Sequence, residues 1–345
     1  METVRVGGRK YSDPDVISLI RATGELVDPR SAVVNQARKL NCQYRSYDGD
    51  QASPMKRLEI IASLCGLTIS PMDIERRRNE PRDAVLIPSG KIRGNRGQIF
   101  YNPRRPQGRV AFSIAHEISH TFFPNTMSGA RFRDICGSNS REANELERLC
   151  DLAASELLMP LEEFRGELCG RFTLAKVEEL SERFGSSFEA TAFRLATAHP
   201  GIAVAGLLKY RLRKEEERAF AASAEQLLFQ NMKHASHELP EPKYRRQSLF
   251  TSTACGDQHT IRWNKSFDLE SCVYLAAKSG TIVERHEVLP NQSGQEGALE
   301  VVRAPFQRED AHPEFPDLLF FWSTTVSMHE IGTKMACSPT QAALL

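Results

Sequence analysis

The stretch RVAFSIAHEISHTFFP, residues 109–124, decides how the chain is read. Phe112, Ala115, His116, Ser119 and Phe122 recur at intervals of three and four, the period of one helical face, and Pro124 ends the run. His116 and His120 are four residues apart, so on a helix both imidazoles project from one face and can share a tetrahedral cation at about 2.0–2.1 Å. Glu117 lies beside them. In such a pattern the carboxylate after the first histidine takes a proton from a water that the cation has acidified, and the water becomes the nucleophile. The competing reading is a chance match on a core helix.

A catalytic zinc needs a third protein ligand and an open position, so a second helix should supply one. SREANELERLCDLAASELLM, residues 140–159, has the form of that helix, capped by Ser140 and ended by Pro160. Glu142, Glu145, Glu147, Asp151 and Glu156 compete for the role. Glu147 is chosen because it lies on the stripe Glu147, Cys150, Asp151, Ala154, Leu158, the small and apolar side that packs on a neighbouring helix. Asp151 is placed to accept the other ring hydrogen of a ligand histidine, with a solvated helix charge as the alternative. Cys150, on the same stripe, is read as packing. Cys136 lies in the intervening loop, in ICGSN. Its thiolate could occupy the open position as an inhibitory fourth ligand; the plain alternative is an ordinary semi-buried loop cysteine.

RVAFSIAHEISH followed by ELERLCDLAASELLMP resembles the ImmA/IrrE family of bacterial metallopeptidases, whose pattern is Arg-x-x-Phe-x-x-Ala-His-Glu-x-x-His and then Glu-x-x-Ala-Asn/Asp ahead of Leu-Leu-Met-Pro. The likeness covers roughly residues 50 to 205. It implies a zincin-like fold, zinc as cofactor with manganese as the alternative in the cell, and Glu147 as third ligand. It also implies a protein substrate, usually a small helix-turn-helix repressor cut at one bond to release stress or defence genes. Two positions depart from the pattern. Ser119 stands where the family has Gly, and Ala153-Ala154 where it has Phe-Ala, so the spacing of the helices is expected to differ locally.

Upstream, SPMKRLEIIASLCGLTI (53–69) carries Leu58, Ile61, Ala62 and Cys65 at helical spacing with Gly66 as its stop, while the first fifty residues are polar. DAVLIPS (83–89) and QIFYN (98–102) read as two strands of a hairpin or three-stranded sheet. Downstream, FTLAKVEELSERFGSSFEATAFRLATAHPG (172–201) has the outline of a helix-turn-helix about Gly185. From Ile202 onward IAVAGLLKYRLR, IRWNKSF, SCVYLAAKSG, GTIVERHEVL, ALEVVRA and DLLFFWSTT read as strands, with a Pro-punctuated connector ahead of residue 249. The expectation is an α+β chain: a zincin-like peptidase domain at 1–165, a helix-turn-helix-like segment at 166–201, and a β-rich domain at 202–345. By resemblance, the last is similar to the GAF-type sensor that some family members carry.

KYRLRK (209–214) and KYRR (243–246) interleave tyrosine with basic residues, a composition that can grip a single-stranded DNA effector. Solvated faces are the plainer reading. Lys+Arg 45 against Asp+Glu 44 leaves a net charge of +1, so any such affinity is local. No apolar run of membrane-spanning length and no export leader is seen, so no membrane partner is expected. The cysteines, at positions 42, 65, 136, 150, 169, 255, 272 and 337, lack the short paired spacing of a disulfide framework, which fits a reducing cytoplasm. The function expected is a zinc endopeptidase acting on a repressor. The alternative is a DNA-binding regulator using residues 172–201, with a purely structural metal.

Overall fold

The computed structural model describes residues 2–24, 27–48, 53–72, 83–89, 96–125, 141–168, 170, 172–229, 241–255, 261–290, 296–305 and 311–324. The chain divides into two compact units, Met1–Glu167 with Glu179–Ala190, and Leu168–Glu178 with Thr191–Leu345.

The first unit begins with the antiparallel pair β1 (Val4–Val6) and β2 (Arg9–Tyr11). Asp13 then caps α1 (Pro14–Thr23), its carboxylate accepting from the backbone N–H groups of Asp15 at 2.8 Å and Val16 at 3.1 Å, with Pro14 opening the helix. The 20-residue α2 (Pro29–Asp48) and α3 (Pro54–Leu64) follow. The polar first fifty residues thus hold two helices. Their apolar residues form narrow stripes: Val16, Ile17, Leu19 and Ile20 on one, Ala32, Val33, Ala37 and Tyr44 on the other, all buried.

Cys65 caps α3 just before Gly66, and the chain enters β3 (Leu67–Pro71) directly after it. β3 runs parallel to β5 (Gly97–Tyr101), and β4 (Ala84–Pro88) pairs antiparallel on β5's other side, giving the order β3-β5-β4. The predicted strand pair is therefore part of a three-stranded sheet with β4 at its edge.

α4 (Gln107–Ser119) packs on α3, on the sheet and on α5 (Arg141–Leu158). Val110, Ala111, Ile114, Ala115 and Ile118 of α4 are buried, as are Leu146, Leu149, Cys150, Ala153, Ala154 and Leu157 of α5. Each buried Leu, Ile or Val side chain contributes about 1.5–3 kcal/mol. The small Ala153-Ala154 pair leaves room on the face of α5. The serine at position 119 is fully buried, and its Oγ donates to the Ala115 carbonyl at 2.8 Å. Its hydroxyl is satisfied within its own helix, where a bare buried hydroxyl would cost about 1–3 kcal/mol.

Behind this pair a buried polar network fixes α5. Asn41 of α2 donates to the Glu156 carbonyl at 2.9 Å and accepts from Arg57 of α3 at 2.9 Å. Arg57 also reaches Glu163 at 3.3 Å, on α6 (Leu161–Leu168). After α6 come α7 (Val177–Phe184) and α8 (Phe188–Ala198), the helix-turn-helix-like pair, through which the boundary between the units runs. Gly185 turns the chain between them at φ +59, and a Cβ there would meet Pro54 Cβ at 2.4 Å.

The second unit holds a five-stranded antiparallel sheet of β6 (Ala203–Arg211), β7 (Lys243–Thr251), β8 (Val283–Val288), β9 (Glu296–Arg303) and β10 (Leu318–Ser323), in the order β7-β6-β10-β9-β8. On one face Val204, Leu208, Tyr244, Leu299, Val301, Leu318, Phe320 and Trp322 form a core with α10 (Cys272–Ser279). On the other, His199 lies between Phe172 and Phe321, and Glu300 accepts the Leu174 N–H at 2.7 Å. α9 (Lys214–Phe229) follows β6.

Three stretches of this unit depart from the sequence reading. SCVYLAAKSG is the helix α10, not a strand: Ser271 caps it, Gly280 closes it in the left-handed region, and Cys272, Val273, Ala276 and Ala277 are buried at helical spacing. IRWNKSF is a turn-rich segment whose β contact is one bridge, Ser266 to Arg245. KYRRQS, placed at the end of the connector, belongs to strand β7, which is paired to β6 along its length.

Candidate metal centre

α4 ends where the two histidines begin to matter. His120 is its C-cap and the first residue of a 3₁₀ turn, His120–Phe122, so the second imidazole leaves the helix at its last turn. The rings of His116 and His120 lie 5.0 Å apart at 75°. Both side chains face α5, His120 being buried and His116 largely so.

From α5, Glu147 Oε2 lies 2.9 Å from His116 Nε2, and Asp151 Oδ1 lies 2.8 Å from His116 Nδ1. One helical turn thus brackets the imidazole with a carboxylate on each nitrogen. The other acids of α5 are engaged elsewhere. Glu145 accepts from the Ser12 and Asp13 backbone at 2.9 and 3.3 Å, and Glu156 is buried against Arg38 at 3.0 Å. The side chain of Glu142 and all of Cys136 lie outside the described residues.

Glu117 turns the opposite way along the helix surface, towards the sheet. Its Oε2 accepts the backbone N–H of Leu86, on edge strand β4, at 2.9 Å. That bond fixes the carboxylate relative to the histidines on the preceding and following turn.

One residue of the cluster escaped the reading. Cys150 Sγ lies 3.4 Å from His120 Nδ1, and His116, His120 and Cys150 offer donor atoms all within 4.8 Å of one another. Cys150 is not packing alone. The signal was present in its place on the Glu147 stripe, three residues on, where a side chain must face α4.

The electrostatics favour a cation. Burial pulls the His116 imidazole below its ordinary value. The hydrogen bonds to Asp151 and Glu147, with the charges of Glu117 and Asp151, outweigh burial and carry it up to about 10. Imidazole nitrogens, carboxylate oxygen and sulfur form a donor set that borderline-soft zinc accepts, so the residues fit a metal ion.

The two basic-aromatic runs meet in the second unit. β6 and β7 pair Lys209 with Arg245, Tyr210 with Tyr244 and Arg211 with Lys243. The tyrosines are engaged: Tyr210 stacks on Phe315 at 4.0 Å, and buried Tyr244 donates its hydroxyl to the Pro316 carbonyl at 3.0 Å. Arg245 is buried and held by Glu216 and the Asn264 carbonyl. The exposed aromatic flanked by cations is Trp263, 55% accessible, with the guanidinium groups of Arg211 and Arg246 over its ring at 5.5 and 4.7 Å; Phe220 and Phe250 are exposed as well.

Residues 64–196, which include α4, α5 and all three strands of the small sheet, match the family Peptidase M78, the IrrE N-terminal-like domain. This segment of the chain is similar to the IrrE N-terminal-like peptidase domain. Among solved structures, a Mycobacterium tuberculosis transcriptional regulator is similar at 12% identity and a TM-score of 0.45, over 92% of this chain and 98% of that one. No curated protein matches. Among the described residues no helix is long and apolar enough to cross a membrane.

Proposed function

We propose that the chain is a zinc-dependent endopeptidase that cuts a partner transcriptional repressor when a cellular signal arrives. The observation that carries the reading is the pairing of His116 and His120 on one helix, with Glu147 and Asp151 of the facing helix bracketing the His116 imidazole and Glu117 anchored beside them. His116, His120 and Glu147 would hold the ion. When bound, zinc supplies Lewis acidity, lowering the pKa of a water and polarising a carbonyl. Glu117 takes the proton of the attacking water and returns it to the leaving amine, while the Leu86 N–H holds its carboxylate in place. Asp151 accepts the Nδ1 proton of His116 and so fixes the tautomer that presents Nε2. Among the described residues β4 is an edge strand of its sheet, and the Leu86 N–H on that strand is the one Glu117 accepts.

The sheet-rich second unit is proposed as a GAF-like sensor. Single-stranded DNA is the effector we assign to it, through Trp263 stacking and the cations of Arg211 and Arg246, since the tyrosines of the two runs are turned inward. The alternative reading, a DNA-binding regulator, is disfavoured by α8. A recognition helix must enter the major groove, whereas Thr191, Ala192, Arg194, Leu195 and Ala196 are buried, and the exposed side chains of α7 are three acids, Glu178, Glu179 and Glu182, against one base, Arg183.

The test is incubation of the purified chain and Zn²⁺ with a small helix-turn-helix repressor encoded beside it. Cleavage by wild type but not by Glu117→Gln is expected. A repressor left intact by both, with and without single-stranded DNA, would sink the proposal.

A further inference from the structure

Cys150 is fully buried, yet its sulfur does not sit in an apolar pocket as a small hydrophobic side chain would. It lies 3.4 Å from an imidazole nitrogen on the facing helix. The other buried thiols differ. Cys272 Sγ approaches the Leu299 carbonyl at 3.7 Å, and Cys65 is engaged with the Thr121 side chain. Among the described residues Cys150 is also the one cysteine that joins a trio of convergent donors, with His116 and His120.

Resting on the reading of this site as a metal centre, we propose that Cys150 is itself a ligand of the ion and sets which metal the centre prefers. His116, His120 and Cys150, all largely buried, form the inner floor of the site. Glu147, with its side chain 40% exposed, is the donor on the solvent side. Coordination converts the thiol to thiolate and releases its proton to solvent. The placement follows from the helix. Glu147 and Cys150 are three residues apart, so one turn of α5 presents a hard oxygen to His116 and a soft sulfur to His120.

The consequence is selectivity. A centre of two imidazoles and carboxylate takes zinc or manganese according to supply, whereas thiolate favours zinc and cobalt over manganese. Zinc is then the working ion of this chain by construction, and manganese is discriminated against by one side chain.

The experiment uses the full-length chain, stripped of metal and titrated with Co²⁺, whose absorption reports its ligands. Wild type is expected to give visible d–d bands together with a near-ultraviolet thiolate-to-cobalt charge-transfer band. Cys150→Ala and Cys150→Ser should keep the d–d bands and lose the charge transfer. In direct competition, the preference for Zn²⁺ over Mn²⁺ should narrow by more than about tenfold in both variants. Circular dichroism identifies any variant that has lost its fold, and the wild-type spectrum is decisive without either variant. Visible bands with no charge transfer in wild type, or charge transfer that survives in a folded variant, would overturn the assignment and leave the peptidase proposal standing. No cobalt binding at all would overturn both.

Discussion

The helix pair α4/α5 and the strand pair β6/β7 each contain a motif that stands out in the sequence, and folding treats the two differently. On α4 and α5, residues three and four apart return to the same face, so His116 and His120, and Glu147, Cys150 and Asp151, come together. On β6 and β7, neighbours point to opposite faces. Tyr210 and Tyr244 enter the core, Arg245 is tied down by Glu216, and the aromatic left exposed between cations is Trp263, from outside both runs. A helix gathers a short motif, and a strand divides it. The same contrast extends to buried charge. In the helical unit His116 is bracketed by two acids, while in the sheet Glu300 stands directly opposite Glu284 with the Leu174 N–H as its support.

The contrast breaks most easily at Glu117. Glu117→Gln should lower cleavage by about 100- to 10,000-fold while the chain keeps its zinc, as measured by metal analysis alongside a cleavage assay. Loss of zinc in that variant would mean that Glu117 belongs to the ligand set.

The sheet side is tested through pH. Burial pushes the Glu300 carboxyl up, the Leu174 N–H pulls it back, and Glu284 pushes it further, to about 7 from an ordinary 4.5. The folded chain therefore binds more protons than the unfolded chain between those values. The stabilisation is complete below about 4.5 and is lost as pH rises through about 7, a difference of roughly 3 kcal/mol. Both tryptophans, Trp263 and Trp322, lie in this unit, so urea unfolding followed by their fluorescence reports it. Glu300→Gln, which keeps an acceptor for Leu174, should flatten the decline between pH 5 and 7; an unchanged slope would show that Glu300 does not titrate there.

Asp151→Asn should weaken metal binding by about 10- to 100-fold with the fold retained, read by zinc titration against a chelating dye. Equal affinity in the two proteins would reduce Asp151 to a solvated charge. The smallest effect is expected at Trp263. Replacement by Ala should cost about 1 kcal/mol of single-stranded DNA affinity, roughly fivefold, because cations already share its ring. Unchanged binding to a labelled oligonucleotide would move the effector surface elsewhere.

The same periodicities explain what the sequence disclosed. α3, α4, α5, α7 and α8 were legible because each carries an apolar stripe at helical spacing with a stop signal nearby. β4, β5, β6, β9 and β10 were legible because turn residues bound short apolar runs. α1 and α2 were missed because the apolar run of α1, Val16 to Ile20, is short, and the buried positions of α2 are diluted among polar ones. α10 was misread because SCVYLAAKSG is a short apolar run, a pattern that a strand and a buried helix share. The Ser271 cap, held to Glu287 at 2.6 Å, decides between them only once β8 is in place. At the centre, spacing along one helix aligned His116 with His120. The approach of Cys150 to His120 depends instead on the packing of α4 against α5, which no local pattern records.

The end of α4 at Ser119, with His120 as its cap, has a further consequence. Aligned peptide dipoles leave about half a negative charge at a helix C-terminus, within the last turn. Both imidazoles sit in that turn, so the backbone adds its own attraction for a dication to that of Glu147 and Asp151. The attraction is built into the hydrogen-bonding direction of the helix. It would survive neutralisation of either acid, and a variant lacking one carboxylate should hold its ion more weakly without losing it.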